Sequence, residues 1–550
     1  MKKYWGLLLV LLLSLGAIAP LFHSGFFPMH DDTQVVRVQQ MAQALRDHQL
    51  PVRWVGDLGY GYGYPIFNFY APLAYYVGAF FNLIGFEVLL ATKLMFICGI
   101  LLSGIFMYFL AREFWGEMGG VISGLFYLYA PYHAVDIYVR GAVGELWAMA
   151  FLPLIFFSLY KLNREKGSKW MVISALAYAA IILSHNLTAM MISPLILLIG
   201  LLFMAFFQKK KQSVKNYALF AALALGLSAF YWLPAMVEMK FTQVLGQIGG
   251  GADWRDHFVF LDQLWTSPWG FAGSAPGRLD GMSFMLGKIH LFLAAFSLIT
   301  AGWLWFKKEK KLALTILAAF GLLAMAVFFT NQLSSSFWKI IPAMAFIQYP
   351  WRFLLLATFA VSFMSGTIVL WFRKNPKLTY IGGSIIILVL LIFNLKYFQP
   401  QTYLEVSGED YLQEEKIKWE TSKISDEYLP KDFPVPQSQN EVAWNKVAVV
   451  KGEAEIKNLL VKSHLTRFEI EAGEGTEILV NTAFFPGWQV WLDGEETSFT
   501  LAGGKIKLTP PSGEHQILVR LANTPIRAIA DLISLISAIL FLCLIILNLC

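Results

Sequence analysis

Charge and cysteine are both scarce in this sequence, and each shortage excludes a class of protein. Charged residues make up 15% of the 550, against 57% apolar ones, at a mean hydropathy of +0.56. That much apolar surface cannot be covered in water, so the chain is not a soluble domain but a polytopic membrane protein. The three cysteines, Cys98 in one apolar run and Cys543 and Cys550 in the last, form neither a disulfide framework nor a CxxC-type metal site. Also lacking are a GxxxxGK(S/T) loop, a GxGxxG after a strand, and a cytoplasmic loop long enough for a nucleotide-binding domain. ATP-driven transport and sugar-nucleotide chemistry are thereby disfavoured. No internal repeat or low-complexity tract is evident. The net charge of +6 does not point to nucleic acid, because Lys and Arg cluster in short loops between apolar runs, where they orient a membrane protein.

What is present is a rhythm of apolar runs. A span needs about 20 apolar residues, and short basic loops mark the cytoplasmic side. The basic marks are the initial MKK, Arg112, and the segments 161–169, 208–215, 307–311 and 373–377. They predict about twelve spans, near 4–22, 94–110, 119–131, 143–160, 170–184, 187–207, 216–234, 286–306, 312–330, 352–372, 378–395 and 526–549. Both termini are then cytoplasmic. The run 71–86 does not fit that parity and reads as a short interfacial or re-entrant helix. The first run is long for a signal peptide and has no good cleavage site, so it is expected to stay as an anchor. Residues 1–397 form a transmembrane domain with outer loops 23–93 and 235–285. Residues 398–525 form an extracytoplasmic domain, and 526–550 a last transmembrane helix. The outer domain opens with a charged segment whose prolines, in "YLPKDFPVPQSQ", suit a linker. Period-two runs such as "RFEIEAG" and "WQVWLDG" follow, with Gly and Pro turns between them, the pattern of an antiparallel β-sandwich.

Chemistry concentrates where the first span ends. "PMHDDTQVVRVQQ" sets His30, Asp31 and Asp32 at the membrane surface. One Asp there can cap the helix that starts at Thr33. Two adjacent acids exceed what capping needs, and partial burial would favour proton or cation binding by the pair. The same stretch carries Arg37, followed by Arg46 and Arg53. Arg140 lies in "YVRGAVGE" and Arg352, beside Trp351, in "IQYPWRF". Arginines are scarce in short outer loops, so together they point to an anion, a guanidinium being suited to bidentate phosphate binding. Each alone is as well explained by snorkelling or by pairing with Asp136, Glu145 or a lipid head group. Glu145 lies about a turn inside the fourth expected span. His185 and Asn186 occupy a tight outer turn, where satisfying freed backbone groups is the simpler role.

"HDDTQVVRVQQMAQAL" followed by "LPVRWVGDLGYGYGYPIFNFYAPLAYY" resembles the membrane glycosyltransferases of the GT-C superfamily, and within it the bacterial and archaeal 6-pyruvoyl-tetrahydropterin synthase-related membrane proteins. "LSHNLTA", "SPWGFAGS" and "QYPWRFL" carry the same resemblance. "FFPGWQVWLDG" with "SGEHQILVRLANTPIRAIADLISLIS" is similar to the outer β-domain and last span of YfhO-like proteins. Nothing looks like the zinc-binding histidine cluster of the soluble pterin enzyme. The resemblance implies Asp31 or Asp32 as general base for an acceptor hydroxyl, with Mg2+ or Mn2+ bound by the pair. It implies Arg37, Arg140 and Arg352 on the phosphate of a polyprenyl-phosphate sugar, and His30, Asp136, Glu145, His185 and Trp351 in support. Transfer would invert the anomeric centre and deliver the sugar to a glycan, lipid or protein of the envelope. Membrane lipids are the other partner, and nucleic acid is not one. A flippase for lipid-linked saccharides would use the same arginines without a base. A scaffold whose β-domain binds envelope polymers is a third reading.

Overall fold

The computed structural model describes residues 4–165, 168–206, 210–247 and 253–549. Parts of the basic loops 161–169 and 208–215, the end of the 187–207 run, residues 248–252 of the second outer loop, the initial MKK and Cys550 lie outside the described residues. Among the described residues eight helices are long and apolar enough to cross a membrane: Trp5–Phe22, Val88–Arg140, Val143–Leu162, Lys288–Phe306, Lys310–Thr330, Pro350–Trp371, Pro376–Tyr397 and Pro525–Ile546.

One of the eight doubles back. Gly116 interrupts Val88–Leu128 with φ 78° and ψ −177°, a conformation nearly reserved for glycine. On either side the chain runs antiparallel: a Cβ at Gly120 would meet Arg112, one at Gly124 would meet Tyr108, and one at Gly104 would meet Leu128. The arms 88–115 and 117–128 thus hold the two spans expected at 94–110 and 119–131. A Cβ at Gly116 itself meets no atom within 4 Å. Gly116→Ala is therefore expected to cost only backbone strain, about 1–3 kcal/mol, read from thermal unfolding of the full chain in detergent. The run 216–234 is a pair of helices, Val214–Leu227 and Ala229–Phe241, bent by 70° and counting as a ninth span if taken together. The run at 170–184 falls on a shorter apolar helix, Lys169–Ser184, and the run at 187–207 on the 21-residue helix Asn186–Phe206. Within 71–86 the helix is Leu73–Leu83. At 1.5 Å per residue it is roughly 16 Å long, about half a membrane core. It lies along helix Gln34–Arg46, with Tyr75 donating to Gln34 Oε1 at 2.7 Å and Arg46 to Asn82 at 2.7 Å.

The three pieces expected outside meet one another. Phe26 bridges Leu404, Thr242 bridges Pro430, and the amides of Ala443 and Ala483 donate to the carbonyls of Tyr60 and Tyr62, each at 3.0 Å. The β-sandwich occupies 447–521. One antiparallel sheet has the order β1(Val447–Lys451), β4(Glu477–Ala483), β8(Lys505–Leu508), β7(Thr500–Ala502). The other has the order β2(Ala454–Lys462), β3(Leu465–Ala472), β9(Gly513–Leu521), β5(Trp488–Leu492), β6(Glu495–Thr497). Alternation decides which face is inside: along β3, Thr466, Phe468, Ile470 and Ala472 are buried while Arg467, Glu469 and Glu471 face out. Residues 398–446 are not the linker their prolines imply. Short helical turns, Gly408–Leu412, Lys416–Thr421 and Ser422–Ile424, pack this segment against the first outer loop, where Tyr60 and Tyr64 donate to Asp426 and to the Ser425 carbonyl. The order comes from those contacts, which no local pattern announces.

The last span is tied in by a buried network. Glu238 accepts from Arg527 Nε at 2.9 Å, Asn68 at 2.8 Å and Thr524 at 2.7 Å, and Arg53 joins Asn68 to Asp531. Glu238 and Arg527 are both 2% exposed, and only such saturation makes burying the two charges tolerable.

Candidate functional site

The turn at 28–32 is seated by a glycine. The amides of His30 and Asp31 donate to the carbonyls of Val139 and Arg140, both at 3.0 Å, and Gln34 donates to the Gly141 carbonyl at 2.7 Å. Gly141 has φ 66°, and a Cβ there would lie 2.1 Å from Met29 Sδ. Any larger residue at 141 would push the turn, and Asp31 with it, away from Arg140.

Asp31 lines a cavity of about 350 Å³ between the span ends and the outer segments. Arg140, Glu145, His185 and Arg352 line it too, so the structure brings together five of the residues singled out from sequence. The span ends contribute Arg140, Glu145, His185 and Arg352. The outer segments contribute Asp31, Asp426 and Glu427. Arg140 closes the wide turn Val135–Arg140 and ion-pairs with Asp136 and, at 2.9 Å, with Glu145, which also accepts from Tyr132 at 2.7 Å. Its guanidinium lies 4.5 Å from the Trp351 ring. Arg352 donates through Nη1 to the Ile347 carbonyl at 2.6 Å and to Gln348 at 3.2 Å, while its buried Nε has no partner. Nη2 makes no hydrogen bond among the described residues and is the donor left for a ligand.

The other five residues do not line this cavity. Asp136 and Trp351 sit behind Arg140 as its carboxylate partner and its stacking surface. His30 is exposed and bonds the Phe271 carbonyl at 3.0 Å. Asp32 faces the 416–420 segment: burial pushes its carboxyl up, with Lys416 opposing and Glu420 adding to the shift. Arg37 is held inside the protein, 4.5 Å from the Tyr70 ring, 2.7 Å from Ser425 Oγ and 3.4 Å from Tyr75 Oη. Its buried Nε, like that of Arg352, has no partner. Ser425 passes the contact on, donating to both oxygens of Glu427 at 3.1 and 3.0 Å. Burial raises the Glu427 carboxyl and Arg37 opposes it, so this group is poised nearer neutrality than an exposed acid. Ser425, Asp426 and Glu427 were invisible in the sequence reading. Their one signal, an acid pair in "SDEY", sits in a stretch that reads as linker.

Asp31 and Asp32 therefore have different surroundings. Among the described residues no group of three or more His, Cys, Asp or Glu is placed to hold a metal ion. Glu145 and Asp136 are already engaged by Arg140, so the donor set expected for Mg2+ or Mn2+ is not assembled here.

The helices above span a stretch with a known pattern. Residues 67–246 match the membrane-protein family described as 6-pyruvoyl-tetrahydropterin synthase related domain. The matched stretch holds Arg140, Glu145 and His185, while Asp31 and Arg352 lie outside it. An uncharacterised protein of Lactococcus lactis subsp. cremoris (strain MG1363) is 24% identical over 242 residues, 42% of this chain and 39% of its own. The chain thus spans about two fifths of that relative. Among solved structures, the apo oligosaccharyltransferase of Archaeoglobus fulgidus is 14% identical, with a TM-score of 0.48, over 80% of this chain and 61% of that one. The archaeal oligosaccharyltransferase AglB from the same organism, in complex with an inhibitory peptide and a dolichol-phosphate, is 15% identical with a TM-score of 0.47 and the same coverage.

Proposed function

We propose that this protein transfers a sugar from a polyprenyl-phosphate carrier to an acceptor of the cell envelope, on the extracytoplasmic face. The observation that supports this is the division of the cavity lining: both guanidinium groups come from the span ends, where Arg140 already engages Glu145, and the other three carboxylates, Asp31, Asp426 and Glu427, come from the outer segments. A lipid-borne phosphate arrives along the spans and meets Arg352 and Arg140. An acceptor hydroxyl arrives from outside and meets Asp31.

In this reading Asp31 takes the acceptor proton as the hydroxyl attacks the anomeric carbon, and the bond to the carrier phosphate breaks on the opposite face, inverting the centre. Arg352, with Nη2 free of hydrogen bonds among the described residues, receives the charge left on the phosphate. Arg140 adds less, since two carboxylates already neutralise it. Glu427, lifted by burial, keeps the outer wall from repelling the donor. The sequence resemblance to GT-C enzymes points the same way.

The test is release of radiolabelled sugar from a panel of undecaprenyl-phosphate sugars by the full chain in liposomes. Arg352→Ala is expected to raise the donor KM about tenfold to a hundredfold, the range of a lost hydrogen bond to a charged group, and to leave the fold intact. Labelled lipid crossing the bilayer with no sugar released from any donor would replace the transferase reading with transport.

A further inference from the structure

A second cavity, of about 400 Å³, lies between the first outer loop and the sandwich. It opens at the far end of helix Gln34–Arg46 from Asp31, roughly 20 Å away along the helix. Its walls are fixed to each other: Asp47 accepts from the Ser463 amide at 2.6 Å and from Gln43 at 3.2 Å. Six residues give the cavity its chemistry: Gln40, Asp57, Lys418, Trp444, Lys446 and Lys462. Asp57 is engaged by Gln40 at 2.8 Å, and Lys418 by Glu414 and the Ala443 carbonyl. Two ammonium groups remain available. Lys446 gives one N–H to the Asn481 carbonyl at 3.0 Å, leaving two, and Lys462 has no partner among the described residues. The indole of Trp444, 41% exposed at the rim, is oriented by its Nε1 bond to the Gln439 carbonyl at 3.2 Å.

An exposed, oriented indole offers a flat apolar face of the kind on which a sugar ring stacks. Amide groups beside it match hydroxyls, and unspent ammonium groups match a negative charge. We propose that this cleft binds an anionic saccharide, a sugar unit carrying a carboxylate or a phosphate. The proposal goes beyond the transfer reaction and does not depend on it. Burial holds the Lys446 ammonium down to about 8, with Asp57 opposing and Lys418 adding to the shift. The other charged groups lining the cleft are Asp47 and Lys462, and affinity falls as pH rises through about 8 and Lys446 loses its proton.

The experiment is direct binding to the full chain in nanodiscs at pH 7, with oligogalacturonate, a mannose 6-phosphate-bearing oligosaccharide and neutral maltohexaose as probes. One anionic probe binds about tenfold or more tighter than maltohexaose; which one tells carboxylate from phosphate. Lys462→Gln and Trp444→Ala each weaken that binding about tenfold, and raising the pH to 9 weakens it further. Lys462 has no partner to lose, so its variant folds and keeps the test open even where Lys446→Gln does not. Asp31→Asn binds as the wild type does, which separates this cleft from the transfer site. Equal binding of all three probes, or anion binding unchanged in Lys462→Gln and Trp444→Ala, overturns the proposal.

Discussion

Asp31→Asn is expected to slow sugar transfer by about 10²- to 10⁴-fold, the usual worth of a positioned general base. The exchange keeps the shape of the side chain, and the backbone bonds that seat the turn, from the His30 and Asp31 amides to Val139 and Arg140, are untouched. Thermal unfolding should match the wild type, and so should the donor KM. Asp32→Asn is the internal control, because Asp32 faces the 416–420 segment and not the cavity; its transfer rate should stay near the wild-type value. The reverse pattern, with Asp32→Asn inactive and Asp31→Asn active, would refute the assignment. Glu427→Gln adds a finer reading. Its raised carboxyl titrates above the ordinary range, so if Glu427 helps carry the proton, the acid limb of the pH–rate profile moves in this variant while the alkaline limb stays.

The second large effect is on stability. Asp136 and Glu145 have side chains 0% and 1% exposed, and Arg140 is the cation between them. Arg140→Met leaves two buried carboxylates without their ion-pair partner, and the expected loss is about 3–5 kcal/mol. The measurement is thermal unfolding in detergent, with yield of folded protein as a second readout. Neutralising the partners as well, in Arg140→Met with Asp136→Asn and Glu145→Gln, should recover most of that loss, since a buried ion network is often no more stabilising than a neutral replacement of similar volume. The triple variant should nonetheless transfer sugar poorly. Recovery of stability without recovery of activity separates the architectural role of Arg140 from its electrostatic one. Failure of the triple variant to recover stability would show that the cluster does not hold the fold together through charge.

Much of the architecture was legible because two signals are strong in any membrane protein. Apolar runs of span length stand out against scarce charge, and the outer sandwich announces itself by period-two alternation between turns. Even so, the hairpin at Gly116 was marked only by Arg112 and a change of register. The helix Lys169–Ser184 is shorter than a full crossing, though its composition reads as span. The site was legible in part, and the line of division is physical. Arg140, Glu145, His185 and Arg352 sit at the ends of spans and Asp31 in the turn after the first span, where polar and charged groups are unusual enough to be noticed. Asp32 looked equivalent to Asp31, but adjacent residues in a turn point apart, and sequence cannot say which one faces the cavity. Arg37 looked like an anion ligand because it lies outside the membrane. Its partners, Tyr70, Tyr75 and Ser425, are distant or featureless in the sequence. Ser425 to Tyr428 went unread because proline and mixed charge look alike in a linker and in a segment ordered by packing against a distant loop.

The fold joins residues that are far apart in the order of synthesis. Arg37 meets Ser425 across 388 positions, and Arg53 meets Asp531 across 478. While a ribosome is still extending the chain, Asp31 has already emerged, but the wall that faces it has not been made, and Arg53 waits for its carboxylate until the final helix exists. Closure over such separations comes late in folding. The cavity beside Asp31 is therefore enclosed only after residues 424–428 have been threaded and docked, so an incomplete copy stranded in the bilayer lacks that wall.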